Sequence, residues 1–208
     1  MGFYTAEIDE AIRHLSKCDS RMKALMQSVG AFELKARRDR FAMLVNSILS
    51  QQISTAAARS IKSKLLATLA PDKLSPESMQ RLGVDQLRRA GISRQKANYI
   101  LDLTHKVNQG ELNLRQVGRL DDEGVIAELV QVKGIGRWTA QMFLIFSLGR
   151  MDVFPEDDLG IKNAIKKVYE LDALPERQLA REIAAPWRPF ASVASWYLWR
   201  ALENTGNV

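Results

Sequence analysis

Across 208 residues the chain carries 30 Lys and Arg against 24 Asp and Glu, a formal net charge of +6. That length suits a substantial core in one domain or two small lobes, and the basic balance favours a nucleic-acid partner without requiring one. The single cysteine, Cys18, excludes an internal disulfide framework and a four-cysteine iron–sulfur cluster, and with only His14 and His105 beside it zinc has too few ligands.

No apolar signal core opens the chain, and no run reaches the length of a membrane span. Helical spacing runs from Glu7 to Val29 through Ile8, Ile12 and Leu15, then Met22, Leu25 and Met26. It breaks at Cys18-Asp19-Ser20, where Asp19 or Ser20 can cap. His14 reads as a residue of the solvated face. Lys35, Arg37, Arg38 and Arg40 make a basic run, either a solvated linker or an edge that faces DNA. Two helices follow from Arg40 to Leu69. FAMLVNSILSQQIS is apolar along one face until Ser50, Gln51 and Gln52, and Ser54 or Thr55 can cap AAARSIKSKLLATL. Ser75-Pro76-Glu77 opens a short helix with proline at its first position. Asp85 is placed to cap QLRRAGIS, and Gly91 to end it. Ser93 starts a helix to Asn108 with Ala97, Ile100, Leu101 and Leu103 inward and His105 on the surface, and Gly110 closes it.

Asp121, Asp122 and Glu123 begin the next helix, with their charge at the favourable end of its dipole. A tight turn at Gly134-Ile135-Gly136 then feeds a helix from Arg137, with Trp138, Met142, Ile145 and Phe146 near one face. Helix, hairpin, helix presents backbone N–H groups to an anion. Lys133 and Arg137 flank the turn, so phosphate is the natural guest. Glu156, Asp157 and Asp158 follow beside a proline. Helices at Ile161–Tyr169 and after Pro175, a rigid turn at Pro186-Trp187-Arg188-Pro189, and the aromatic helix FASVASWYLWRALE complete the chain. No segment alternates as a strand, so the fold class expected is all-α, with about ten helices.

VKGIGRWTA, with Asp158 placed 22 residues after Gly136, resembles the helix-hairpin-helix-Gly/Pro-Asp superfamily of DNA base-excision glycosylases. GIGRWTA and DVFPEDDLGIK are similar to its 3-methyladenine DNA glycosylase II branch, and the likeness extends from about Phe41 to Trp199. The resemblance implies two helical lobes with an interlobe active-site cleft. One lobe would be a central barrel over residues 36–149, with the hairpin motif at about 122–148. The other would combine 1–35 with 150–208. The β-rich N-terminal domain of some members is expected to be absent.

The resemblance also implies the site. Asp158, four residues before Lys162 in DLGIK, matches the catalytic aspartate. The alternative reading of Asp157 and Asp158 is as caps of the helix that follows. Trp138 and Trp196 resemble the two tryptophans lining an alkyladenine pocket, with Tyr197 as a further edge. Met142 replaces a tyrosine of the family and leaves the pocket's width open. Trp187 and Trp199 read as core residues. Gln52, at the end of ILSQQIS, matches the wedge that fills the gap left by an extruded base; the alternative is that Gln51 and Gln52 cap a helix end. Lys133, Gly134, Gly136, Arg137 and Thr139 would bind DNA phosphate. The backbone carbonyls of Val130, Val132 and Ile135 would hold a monovalent cation, with no other cofactor required.

Breaking a base–sugar bond builds oxocarbenium-like charge on the sugar, which a fixed carboxylate stabilises. Lyases of the superfamily place a nucleophilic lysine where this chain has Trp138, so water must cut the bond. Cationic alkylated purines such as 3-methyladenine or 7-methylguanine would stack on the tryptophans. The expected activity is a monofunctional glycosylase acting on damaged bases in double-stranded DNA, as a monomer. Its expected location is intracellular, at a bacterial nucleoid or in a eukaryotic nucleus, with no membrane partner. Two alternatives stay open: a glycosylase of the same fold for another damaged or mismatched base, and a non-enzymatic module that binds DNA structure. The second gives no reason for Asp158 and the tryptophans together.

Overall fold

The computed structural model of the protein describes Phe3 and residues 5–203. Among those residues every regular element is helical, and no helix is long and apolar enough to cross a membrane. In chain order the helices are α1 (Thr5–Cys18), α2 (Ser20–Val29), α3 (Arg40–Ser50), α4 (Thr55–Leu69), α5 (Pro76–Gln80), α6 (Val84–Arg89) and α7 (Arg94–Asn108). Then come α8 (Leu114–Val117), α9 (Asp122–Leu129), α10 (Arg137–Phe143), α11 (Leu159–Val168), α12 (Arg177–Ala184) and α13 (Ala191–Glu203). A π-helical turn, Leu144–Leu148, precedes the acidic loop, and a 3-10 turn, Ala185–Trp187, follows α12.

The chain divides into two compact units, Met1–Ala36 with Leu144–Val208, and Arg37–Phe143. The first is built on α2, α11 and α13. Leu15, Met22, Ile161, Ile165, Trp187, Val193 and Leu198 are fully buried in its core. Truncating an aromatic of that kind costs roughly 3–5 kcal/mol. Asp19 ties three elements of this unit together. It caps α2 by accepting from Met22 N at 2.9 Å, and its other oxygen accepts from Trp187 Nε1 at 2.9 Å and from the Tyr169 hydroxyl. Burial and the Asp19 carboxylate push the Tyr169 phenol well above its ordinary range.

In the second unit, local capping explains where the helices start. Asp39, Ser54, Ser75, Ser93, Asn113 and Asp121 each accept a backbone N–H with the side chain, as short polar residues do at an N-cap. Gly91 and Gly110 end their turns at φ +90° and +77°. Arg40 of the basic run is a packing residue here. Its Nη1 donates to Leu114 O at 2.5 Å, and it lies over Gly118, where a Cβ would come within 2.7 Å of it.

Three sequence expectations change. The α-helices among the described residues outnumber the expected ten; α8, only four residues long, spans too little of a helical period to be read from the sequence. Gly83, not Asp85, starts α6: its N–H is bound by the Gln86 side chain at 2.8 Å, and Asp85 lies inside the first turn. His14 is half-buried rather than solvated, with Nε2 2.9 Å from Pro186 O and its ring 5.4 Å from that of Phe190.

Candidate active site

In the first unit the acidic loop is held before the acids are reached. Val153 N donates to Ser192 Oγ at 2.9 Å and Ser192 N to Met151 O at 2.9 Å. Arg188 Nε donates to Asp152 Oδ2 at 2.8 Å. The loop is thereby pinned to the start of α13, and the three acids then separate by partner. Arg181 grips Glu156 with two guanidinium nitrogens, and Arg177 binds Asp157 through Nε at 3.1 Å and Nη2 at 2.6 Å. Asp158 is the buried member at 8% exposure. Its Oδ1 accepts from Ile161 N at 2.8 Å and from Trp199 Nε1 at 3.1 Å. The cap reading and the carboxylate site are therefore one residue: Asp158 is the N-cap of α11. Gly160 leaves room for this arrangement, since a Cβ there would stand 2.9 Å from Asp158 Oδ1 and 3.4 Å from the Trp199 ring.

Both tryptophans of α13 pack on the core, and it is Trp199 that also meets the acidic loop. Trp199, expected in the core, reaches the carboxylate, and its ring lies 5.5 Å from that of Phe146. Trp196, expected in the pocket, is 8% exposed in the core cluster and packs on Phe32 at 4.7 Å. Tyr197 offers no edge to a ligand. It is 1% exposed, and its hydroxyl donates to Gly30 O at 3.1 Å. Both belong to the face of α13 that closes the hydrophobic core.

In the second unit the hairpin joins α9 to α10. Ile135 N closes its turn onto Val132 O at 3.0 Å, and Ala140 N makes the first bond of α10 to Gly136 O at 3.0 Å. Gly134 is required twice over. Its φ is +80°, and a Cβ would lie 2.0 Å from the Tyr99 ring. Lys133 N donates to Asp102 Oδ2 at 2.9 Å, with Lys133 Nζ 3.8 Å from the same carboxylate. Arg137 grips Glu123 with both terminal nitrogens, and that hydrogen bonding holds the Glu123 carboxyl below its usual range. The Thr139 side chain is buried at 3% exposure and cannot reach a phosphate, which leaves only its backbone for that role. Trp138 is 42% exposed on α10, while Met142 is buried on the same helix. Val132 and Ile135 are buried and Val130 is exposed.

Gln52 stands at the tip of the α3–α4 connection, exposed, with φ +55°. For a residue with a Cβ the left-handed region costs roughly 1–2 kcal/mol. Its neighbour Gln51 does not merely cap α3: its side-chain amide donates to Gly134 O of the hairpin at 2.9 Å. Lys96 donates to Leu49 O at 2.8 Å and to Gln51 O at 2.6 Å. Burial lowers the Lys96 pKa, while the carbonyls at the end of α3 favour its charged form. Sequence reading missed Gln51, Lys96, Tyr99 and Trp199 as site residues. Gly91 and Ser93, just ahead of Lys96, read locally as a helix end and a helix start, and nothing in that stretch announces a reach to the end of α3. No group of three or more His, Cys, Asp or Glu suited to a metal occurs among the described residues.

With this architecture in view, the chain belongs to the HhH-GPD superfamily of base excision DNA repair proteins, whose family model matches residues 45–189. It is 31% identical over 192 residues to DNA-3-methyladenine glycosylase 1 of Schizosaccharomyces pombe, covering 90% of this chain and 84% of that protein. Its fold is similar to the S. pombe 3-methyladenine DNA glycosylase solved with abasic DNA: TM-score 0.81, 30% identity, 91% of this chain and 95% of that one. It is likewise similar to the DNA-3-methyladenine glycosidase of Bacillus halodurans: TM-score 0.81, 32% identity, 93% of this chain and 88% of that one.

Proposed function

We propose that the protein is a monofunctional DNA glycosylase of the 3-methyladenine DNA glycosylase II type, hydrolysing the bond between alkylated purines and deoxyribose in double-stranded DNA. The observation that carries the reading is Asp158. It is the one acid of its loop that is buried and bound by an indole N–H and a backbone N–H, while Arg181 and Arg177 grip its two neighbours. A carboxylate so held needs no rearrangement to face charge that develops on a sugar.

In the reaction the base leaves with the electron pair of its bond to C1′. Water adds to C1′ and releases a proton, leaving an abasic site in an unbroken strand. Asp158 stabilises the positive sugar and orients the water. Trp138 offers an exposed aromatic face for a flipped cationic base, and Trp199 replaces Trp196 as the indole beside the carboxylate. Gln52 is the wedge, and its exposure at the tip of a turn supports that role. Gly134, Gly136 and the Thr139 backbone, with Lys133 and Arg137, would receive phosphate; both cations would trade carboxylate partners for it. A monovalent cation at the carbonyls of Val130, Val132 and Ile135 fits a carbonyl that has accepted only one hydrogen bond, as Val132 O has from Ile135 N. Such an ion would steady the turn. The protein would act as a monomer, inside the cell, where its DNA is.

Incubation with methylated duplex DNA should release 3-methyladenine or 7-methylguanine and leave the strand intact until alkali or heat breaks it. Borohydride should trap no covalent adduct, because Trp138 stands where a lyase carries its amine. A stoichiometric trapped adduct would refute the monofunctional assignment. Release of only a mismatched or oxidised base would transfer the activity to another target, and no release of any base would leave a DNA-binding module.

A further inference from the structure

Lys96, Tyr99 and Asp102 recur every three residues along α7, so they form one line on that helix. Each touches a different part of the DNA-binding apparatus proposed above. The Lys96 ammonium joins the last carbonyls of α3 below Gln52, at 2.8 and 2.6 Å. The Tyr99 ring occupies the space that the absent Cβ of Gly134 leaves open. Its hydroxyl in turn accepts from Gln95 Nε2 at 2.6 Å. Asp102 receives the Lys133 N–H at 2.9 Å. The Gln51 amide closes the circuit by bonding directly to Gly134 O at 2.9 Å. A groove of about 380 Å³ lies among Gln51, Gln52, Ile53, Lys96, Tyr99 and Gly134, so the tip is propped from beneath rather than packed on all sides.

We propose that Lys96 is a positioning residue, which with Gln51 holds Gln52 in its left-handed backbone conformation and sets the loop at a fixed distance from the hairpin turn. A non-glycine residue at φ +55° relaxes unless its flanking peptides are tied down. Lys96 ties the backbone carbonyl of Gln51, the residue before Gln52, and the Gln51 side chain is tied to Gly134 O. A cation at the end of α3 also meets the negative end of that helix dipole. A tip held in this way enters a duplex without first losing conformational freedom, which lowers the cost of binding.

The inference rests on the reading of Gln52 as wedge, and its test separates the two. Lys96→Met keeps the length and removes the charge; Gln51→Ala removes only the strap to the hairpin and serves if the first variant folds poorly. Each should weaken binding to abasic-site duplex by about tenfold and binding to undamaged duplex by less than about twofold. In a double-mutant cycle, Lys96→Met added to Gln52→Ala should cost almost nothing more, since there is no longer a wedge to aim. A role confined to stability would give additive losses, or equal losses on both duplexes, and either result overturns the proposal. If Gln52→Ala itself shows no preference for damaged duplex, the wedge reading fails. Amide exchange at residues 50–54 of the free protein then decides the holding role. Faster exchange in Lys96→Met sustains it, and unchanged exchange ends it.

Discussion

Asp158→Asn is expected to lower single-turnover base release by at least ~10²-fold, with folding and binding to abasic-site DNA retained. Asparagine is as good an N-cap as aspartate. Its carbonyl oxygen can still accept from Ile161 N and Trp199 Nε1, the two bonds that Asp158 Oδ1 makes. The substitution therefore removes the charge and keeps both of those bonds. Alanine would also remove the cap of α11 and confuse the two effects. The measurement is the rate of release from methylated DNA with enzyme in excess, beside a thermal melt. A variant that releases base at the wild-type rate would take Asp158 out of the chemistry. The same loss in Asp157→Asn would move the role to its neighbour, although Arg177 already binds that carboxylate.

The second large effect concerns stability. Asp19→Ala removes the cap of α2 and deprives the Trp187 Nε1–H and the Tyr169 hydroxyl of their acceptor. Trp187 is fully buried, so its N–H has no route to water. A stranded buried donor costs about 1–3 kcal/mol and a lost cap about 1 kcal/mol. Together these predict a loss of roughly 2–4 kcal/mol, or about 10 °C in Tm for a chain of this size. Asp19→Asn, which keeps a cap and one acceptor, should lose about half as much. A Tm within about 2 °C of wild type for the alanine variant would show that the network carries little of the fold.

The elements most legible in the sequence were those whose chemistry is local. Asp19, Ser54, Ser75, Ser93 and Asp121 were recognisable as starts because a short polar side chain ahead of an apolar period is itself the cap. The GIG turn was readable because glycine is what the backbone needs there. What escaped was tertiary. Trp196 and Trp199 stand three positions apart on α13, and periodicity does not say which neighbouring face meets the core and which meets the acidic loop. Nor could the sequence show that the second glutamine of QQ sits in the left-handed region while the first reaches 83 residues along the chain to Gly134. Thr139 follows the hairpin as a phosphate contact should, yet its helix turns that side chain inward. Three adjacent acids looked interchangeable, and arginines 20 and 25 residues further on told them apart.

That last arrangement bears on how a polyanion can be approached at all. A loop carrying three neighbouring carboxylates would repel a phosphate backbone over a distance set by the Debye length, about 8 Å at physiological ionic strength. Arg177 and Arg181 cancel the formal charge of Asp157 and Glu156. To a nucleic acid the segment then presents less negative charge than its three acids would carry without the arginines. On the proposed reading, the two arginines would lower the repulsion that a nucleic acid meets on approaching Asp158, whether or not they touch it.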